Sequence, residues 1–209
     1  EHAAMFAREA AAYGADAVIA MAPYVRKITD EDCLVAYYQG ISQASNLPIF
    51  VQNHAVGSEL SVSTLARLVR EVEHVEYVKE ETMPTTHKIS RLIELAGPKL
   101  KGVLGGAGGR YLLLDYLRGC AGQMPGCHVT DVVVRLWEAL EAGNLPEAKR
   151  VYGLLAPLFA FETMYPGAVY KEVLRRRGVI RYAGSRNAPA RPLDDEDGRA
   201  LDDILADLE

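Results

Sequence analysis

Short apolar runs separated by helix-like stretches make up most of the chain. Residues 15–21 form the first run, which follows Gly14, a helix stop, and ends at Pro23-Tyr24. Residues 47–51 form the second, ending at Gln52-Asn53. Residues 75–78 form the third, ending at Lys79-Glu80-Glu81, and residues 100–104 the fourth, ending at Gly105-Gly106. Near-continuous apolar runs of this length predict strands of a parallel sheet covered on both faces. The ends at Tyr24, Gln52, Lys79 and Gly106 recur at steps of about 27 residues, about the length of one strand–helix unit.

Helices fill the intervals. Residues 30–44 place Leu34, Tyr37, Tyr38 and Ile41 at three- and four-residue spacing. Residues 61–72 open on a Ser61 cap and carry Leu65, Leu68 and Val69; residues 85–96 carry Ile89, Leu92 and Ile93. A helix over 110–118 stops at Gly119, and a fifth short strand is expected over 121–124. Beyond it the pattern is helical only: 131–142 before Gly143, 145–161 with a bend at Pro157, and 169–177 before Gly178. The stretch 185–197 reads as polar and irregular, and a last amphipathic helix runs to Leu208.

Alternating β and α at a fixed step predicts an α/β protein with a parallel sheet, either an open doubly wound sheet or a closed barrel. A nucleotide-binding open sheet wants a Gly-rich turn after its first strand. Here the Gly cluster at 105–109 follows the fourth run and lacks the Lys-Ser/Thr of a phosphate loop. The barrel is therefore favoured, a TIM (β/α)8 barrel with extra C-terminal helices. Five strands do not close one, so about three further units, roughly 80 residues, are expected before Glu1. The absence of an initial Met agrees. Residues 1–128 then form the C-terminal portion of the barrel and 129–209 a helical extension.

Composition narrows the function classes. Of 209 residues, 49% are hydrophobic and 24% charged, as in ordinary globular proteins. A net charge of −5 argues against nucleic acid or an anionic membrane as partner. No apolar run approaches a membrane span. The scattered thiols Cys33, Cys120 and Cys127 form no metal-ligand spacing, and their odd number points to a reducing, cytoplasmic setting.

Barrel active sites lie at the carboxyl ends of strands. That rule selects Tyr24, Gln52, Asn53, Lys79, Glu80, Glu81 and the Gly105-Gly106 turn. Burial of Lys79 at such a position favours the neutral amine, which attacks a carbonyl to give an imine that serves as an electron sink. Spacing alone leaves a second reading open, in which Lys79 pairs with Glu80 or Glu81 on a solvated edge.

From Gly14 to about Leu193 the chain resembles the dihydrodipicolinate synthase / N-acetylneuraminate lyase family. Residues 14–18 through Pro23-Tyr24 are similar to its "GADAV…PY" strand. Leu47-Pro48-Ile49 through Asn53 are similar to its "LPI…YN" strand, Val78-Lys79-Glu80 to its "IKE" motif, and Leu104-Gly105-Gly106 to its "SGDD" turn. The resemblance implies a (β/α)8 barrel with C-terminal helices, commonly a homotetramer. It further implies a Schiff base between Lys79 and a small-molecule 2-oxo acid such as pyruvate. Three departures matter. The family's relay tyrosine aligns with Gln52, and an amide is no general acid or base at neutral pH. The following loop, His54 to Ser58, carries no arginine. The "DD" becomes Ala107-Gly108. These departures disfavour dihydrodipicolinate synthesis from pyruvate and aspartate semialdehyde. They favour a 2-keto-3-deoxy sugar acid, undergoing dehydration or retro-aldol cleavage, with dehydration preferred. A non-catalytic 2-oxo-acid-binding member is the rival from another class.

The remaining candidates each carry two readings. Tyr24 is expected to support proton transfer or to pack at a subunit interface. Gln52 and Asn53 are expected to bind substrate hydroxyls or to satisfy loop backbone. Glu81, with Gly105 and Gly106, is expected at the substrate, while at least one of Glu80 and Glu81 serves as a helix-start or ion-pair residue. His54 replaces the lost acid/base or is merely exposed; Arg110 binds a carboxylate or is a surface charge. His87, His128 and the cysteines show no metal pattern, so neither metal nor organic cofactor is expected.

Overall fold

A computed structural model describes residues 1–186 and 192–208. The middle of the stretch expected to be irregular, 187–191, and the final position of the expected helical extension, 209, lie outside the described residues. The elements alternate as the apolar pattern predicts. They run α1 (His2–Ala12), β1 (Val18–Met21), α2 (Glu31–Ser45), β2 (Ile49–Asn53), α3 (Val62–Glu71), β3 (Val75–Glu80) and α4 (Thr85–Ala96). Then come β4 (Gly102–Gly108), α5 (Leu112–Tyr116), β5 (Gly122–Pro125), α6 (Thr130–Glu141), α7 (Leu145–Met164), α8 (Ala168–Arg176) and α9 (Asp195–Ala206).

The five strands form one sheet in sequence order, with β1 to β4 paired in parallel. The register sets Met21 beside Gln52, Gln52 beside Lys79 and Lys79 beside Leu104. The ends of β1, β2 and β3 therefore stand close to one row, and β4 runs on past it to Gly108. Side chains alternate across a strand. Val51, Asn53, Val78 and Glu80 are buried on one face, while Phe50, Gln52, Tyr77 and Lys79 stand on the other at intermediate exposure. Phe50 and Tyr77 stack there, centroids 4.3 Å apart. Full cover on both faces was expected from the apolar runs. The second face is only part-covered because these five strands do not enclose it.

The chain divides into two compact units. One comprises Glu1–Gly106 with Leu114–Met124; the other comprises Ala107–Leu113 and the chain from Pro125 onward. In the first, Leu34, Tyr38 and Ile41 of α2, Leu65 and Leu68 of α3 and Ile89 and Leu92 of α4 are buried with Ile49, Val51 and Val78 of the sheet. Each such side chain contributes about 1.5–3 kcal/mol. In the second, Leu136, Leu155, Leu158, Val169, Val173 and Leu201 are buried. Ser61 caps α3 by accepting from Thr64 N at 3.0 Å.

Several boundaries differ from expectation, β4 for instance running to Gly108, and two have a clear local cause. The helix expected over 110–118 shrinks to Leu112–Tyr116, since Gly108 and Gly109 have φ of 71° and 99° and Arg110 N closes a turn onto Ala107 O. The irregular stretch ends before Asp195, where a reciprocal capping box between Asp194 and Asp197 starts α9. Among the described residues no helix is long and apolar enough to cross a membrane.

Candidate active site

β3 carries Lys79 and, one step past its end, Glu81. Residues two apart on a strand share a face, so the two side chains meet. Lys79 Nζ lies 3.0 Å from Glu81 Oε2, with side chains 14% and 8% exposed. From the neighbouring strand Gln52 Nε2 donates to the same carboxylate oxygen at 2.8 Å. The ion pair named as the alternative for Lys79 is thus present, but between two largely shielded side chains rather than on a solvated edge. Glu81 is further anchored by its backbone N, which donates to Asn53 O at 2.9 Å.

Glycine at 106 makes room for this carboxylate. A Cβ there would fall 2.2 Å from Glu81 Oε1 and 2.5 Å from its Cδ. The Gly106 carbonyl accepts from Gln123 Nε2 at 2.6 Å. At Gly105 a Cβ would meet Gln123 Oε1 at 2.1 Å and Asp115 Oδ2 at 2.8 Å. Asp115 Oδ1 accepts from Thr85 Oγ1 at 2.6 Å, and burial, opposed by that bond, pushes the Asp115 carboxyl up. Lys79, Glu81, Gln52 and Gly106 therefore come together, while Gly105 pairs with Glu80 and faces Asp115 and Gln123 instead. Asp115, Gln123 and Thr85 extend the group, and none of these three follows from the strand-end rule.

Glu80 points the other way and is fully buried. It accepts from Thr82 Oγ1, from Thr82 N at 2.7 Å and from Asn53 Nδ2 at 2.8 Å. Burial pushes its carboxyl up, partly offset by these bonds. Of the two carboxylates, Glu80 is thus the structural one.

For Asn53 the described contacts are those of the second of its two readings, the satisfaction of loop backbone. Asn53 is fully buried, its amide donates to Leu60 O, Glu80 Oε2 and Thr82 Oγ1, and its Oδ1 accepts from Leu60 N. Its polar atoms are engaged by Leu60 in the loop that follows β2 and by Glu80 and Thr82 at the end of β3. Tyr24 is also not brought to the Lys79 group among the described contacts. It is 60% exposed and lines an apolar hollow with Phe6, Ile19, Met21 and Tyr37. His54 Nδ1 accepts from Val56 N at 3.1 Å, a local turn contact. Arg110 belongs to the second unit, where its guanidinium lies 3.9 Å from Glu162 Oε2. Among the described residues no group of His, Cys, Asp and Glu could hold a metal ion.

Comparison with known proteins gives a consistent result. The family model described as the dihydrodipicolinate synthetase family matches residues 1–208. The chain is 34% identical over 170 residues to L-2-keto-3-deoxyarabonate dehydratase of Azospirillum brasilense, covering 80% of this chain and 55% of that protein. It is 30% identical over 214 residues to 4-hydroxy-tetrahydrodipicolinate synthase of Chlorobium limicola, covering 100% of this chain and 70% of that one. Among solved structures, dihydrodipicolinate synthase from Rhodopseudomonas palustris superposes with a TM-score of 0.85 at 23% identity, covering 97% of this chain and 69% of that chain. That likeness shows the fold, a (β/α)8-barrel architecture of which this chain carries five strands. The chain thus spans little more than half the length of the dehydratase it matches.

Proposed function

This chain belongs to the dihydrodipicolinate synthetase family, and from that premise we propose that it carries the Schiff-base machinery of a lyase that dehydrates a 2-keto-3-deoxy sugar acid. The observation behind this reading is the Lys79–Glu81–Gln52 group, with Lys79 Nζ at 3.0 Å and Gln52 Nε2 at 2.8 Å from one carboxylate oxygen. Lys79 must give up a proton before its nitrogen attacks, and Glu81 is the acceptor within reach. The amine adds to the C2 carbonyl, and the proton held by Glu81 passes to the departing water, which leaves a protonated imine and an ionised Glu81. Glu81 then takes a proton from C3, the electrons are held by the imine, and the C4 hydroxyl departs with the proton that Glu81 returns. Hydrolysis of the imine frees Lys79. The balance is the substrate less one water.

Gln52 supports dehydration over synthesis. It replaces the tyrosine that relays protons in the resembled family, and as an amide it can orient Glu81 but not carry a proton. The 2-keto-3-deoxyarabonate dehydratase among the relatives agrees with this choice of chemistry. A synthase relative matches the whole chain at lower identity and keeps synthesis as the second reading. Gly105 and Gly106 serve as the backbone wall at the substrate, and Tyr24 as an outer proton-transfer or interface residue. A homotetramer, a cytoplasmic setting and a division near residue 128 belong to the same proposal. They rest on the resemblance, the helical tail and the scattered cysteines.

The test is product analysis on the full-length protein with 2-keto-3-deoxyarabonate. A product one water lighter supports the reading. Pyruvate plus an aldehyde would replace dehydration with retro-aldol cleavage. Turnover only of pyruvate with aspartate semialdehyde would replace it with synthesis.

A further inference from the structure

Behind the Gly105-Gly106 strand end lies a buried polar chain that the reaction above does not use. Asp115 Oδ2 and Gln123 Oε1 both lie against Gly105, 2.8 Å and 2.1 Å from the point its Cβ would occupy. Both are acceptor atoms, both are buried, and neither has a donor partner among the described residues. Their other ends are fixed: Thr85 Oγ1 donates to Asp115 Oδ1 at 2.6 Å, and Gln123 Nε2 donates to Gly106 O at 2.6 Å. Turning the Gln123 amide over would offer Asp115 a donor but set Oε1 against the Gly106 carbonyl, two acceptors face to face. One proton on Asp115 Oδ2 satisfies every group at once. Asp115 is fully buried and forms no ion pair among the described contacts. An uncompensated carboxylate in such a place is costly.

We propose, building on the reading of Lys79 and Glu81 above, that Asp115 is held as the neutral acid and donates from Oδ2 to Gln123 Oε1. This bond sets the amide that holds the Gly106 carbonyl beside Glu81. Asp115 and Gln123 are then positioning residues. They fix the strand end against which the Glu81 carboxylate packs, and Glu81 in turn orients Lys79. The groups facing Asp115 are Thr85 from α4, Gly105 from β4, Gln123 from β5 and the buried Cys120, whose thiol is pushed up to about 11, chiefly by burial. None of them supplies a cation.

Three variants of the full-length protein test this: D115N, D115A and Q123M. Isotope-edited infrared difference spectra of wild type against D115N near neutral pH should show a carboxylic-acid C=O band. Carboxylate bands alone would overturn the proposal. Borohydride trapping of a 2-oxo acid on Lys79 should slow about tenfold in D115A and Q123M with half-saturation little changed. D115N keeps a donor toward Gln123 and should recover to within about threefold of wild type. If D115N is as slow as D115A, a negative charge is required and the proposal fails. A neutral acid in the fold, ionising near 3.8 when unfolded, makes wild type lose stability relative to D115N as pH rises above that value. A relative gain would contradict it. Should D115A not fold, Q123M and the infrared measurement still decide. Should wild type form no adduct, the lyase reading fails, while infrared and melting still report on Asp115.

Discussion

Replacing Gly106 with alanine should disable the candidate site through one methyl group. Gly106 has no positive φ, so its backbone admits alanine and the cost is steric. The new Cβ would sit 2.2 Å from Glu81 Oε1 and 2.5 Å from Cδ and Cγ, against ordinary contacts of 3.4 Å or more. The carboxylate must retreat by about 1 Å. Its bonds to Lys79 and Gln52, now 3.0 Å and 2.8 Å, would then pass beyond hydrogen-bond reach. With these side chains largely enclosed, the loss should cost about 1–3 kcal/mol of stability. Misplacement of this size at a reacting group costs about 100-fold in rate. Thermal unfolding followed by circular dichroism reads the first, and the initial rate of borohydride-trapped adduct reads the second. Gly40→Ala is the control: it lies in α2 with nothing within 4 Å of its Cβ, and should leave trapping unchanged and stability equal or higher. G106A trapping and melting like wild type would refute the packing of Glu81 described above.

Other variants separate the roles of neighbouring residues. E81Q keeps the shape but not the proton-carrying charge, so an adduct on Lys79 should still form, though more slowly, while turnover falls about 10²- to 10⁴-fold; unchanged turnover would remove Glu81 from proton transfer. N53A strips the buried bonds to Leu60, Glu80 and Thr82 and should cost about 2 kcal/mol or more in urea unfolding, with little change in half-saturation. In the second unit, hydrogen bonds from Arg175, and then from Arg176, hold Glu172 down to about 2. A depressed carboxylate contributes above its unfolded value near 4.5 and loses that contribution as pH falls toward 2. The gap in melting temperature between wild type and E172Q should therefore close over that range, and a gap independent of pH would count against the pairing.

How much of this was legible depends on locality. The ends of β2 and β3 were readable because apolar runs stop where buried strands stop, and the register pairs Gln52 with Lys79; β4 runs on past its expected end to Gly108, and Lys79 pairs with Leu104. Alternation along β3 puts Lys79 and Glu81 on one face and Glu80 on the other, a division the sequence holds implicitly. Asn53 kept two readings because residue type at a strand end does not reveal which face the side chain takes. Its odd–even phase with Val51 and Glu80 sends it inward. Asp115 and Gln123 were missed although the helix over 110–118 and the strand over 121–124 that carry them were expected, because the strand-end rule selects neither residue. The positive-φ glycines shorten α5, and β5 arrives early at Gly122. Tyr24 was selected by the same rule, but its run ended at Met21, three positions short.

The central claim is that Lys79 forms an imine, and borohydride trapping with a 2-keto-3-deoxy sugar acid tests it most directly. Intact mass and peptide mapping of the full-length protein should show one reduced adduct on Lys79, absent from K79A that is folded by circular dichroism. A folded wild-type protein that yields no adduct with pyruvate or any 2-keto-3-deoxy sugar acid would contradict the account and leave a non-covalent 2-oxo-acid-binding protein in its place.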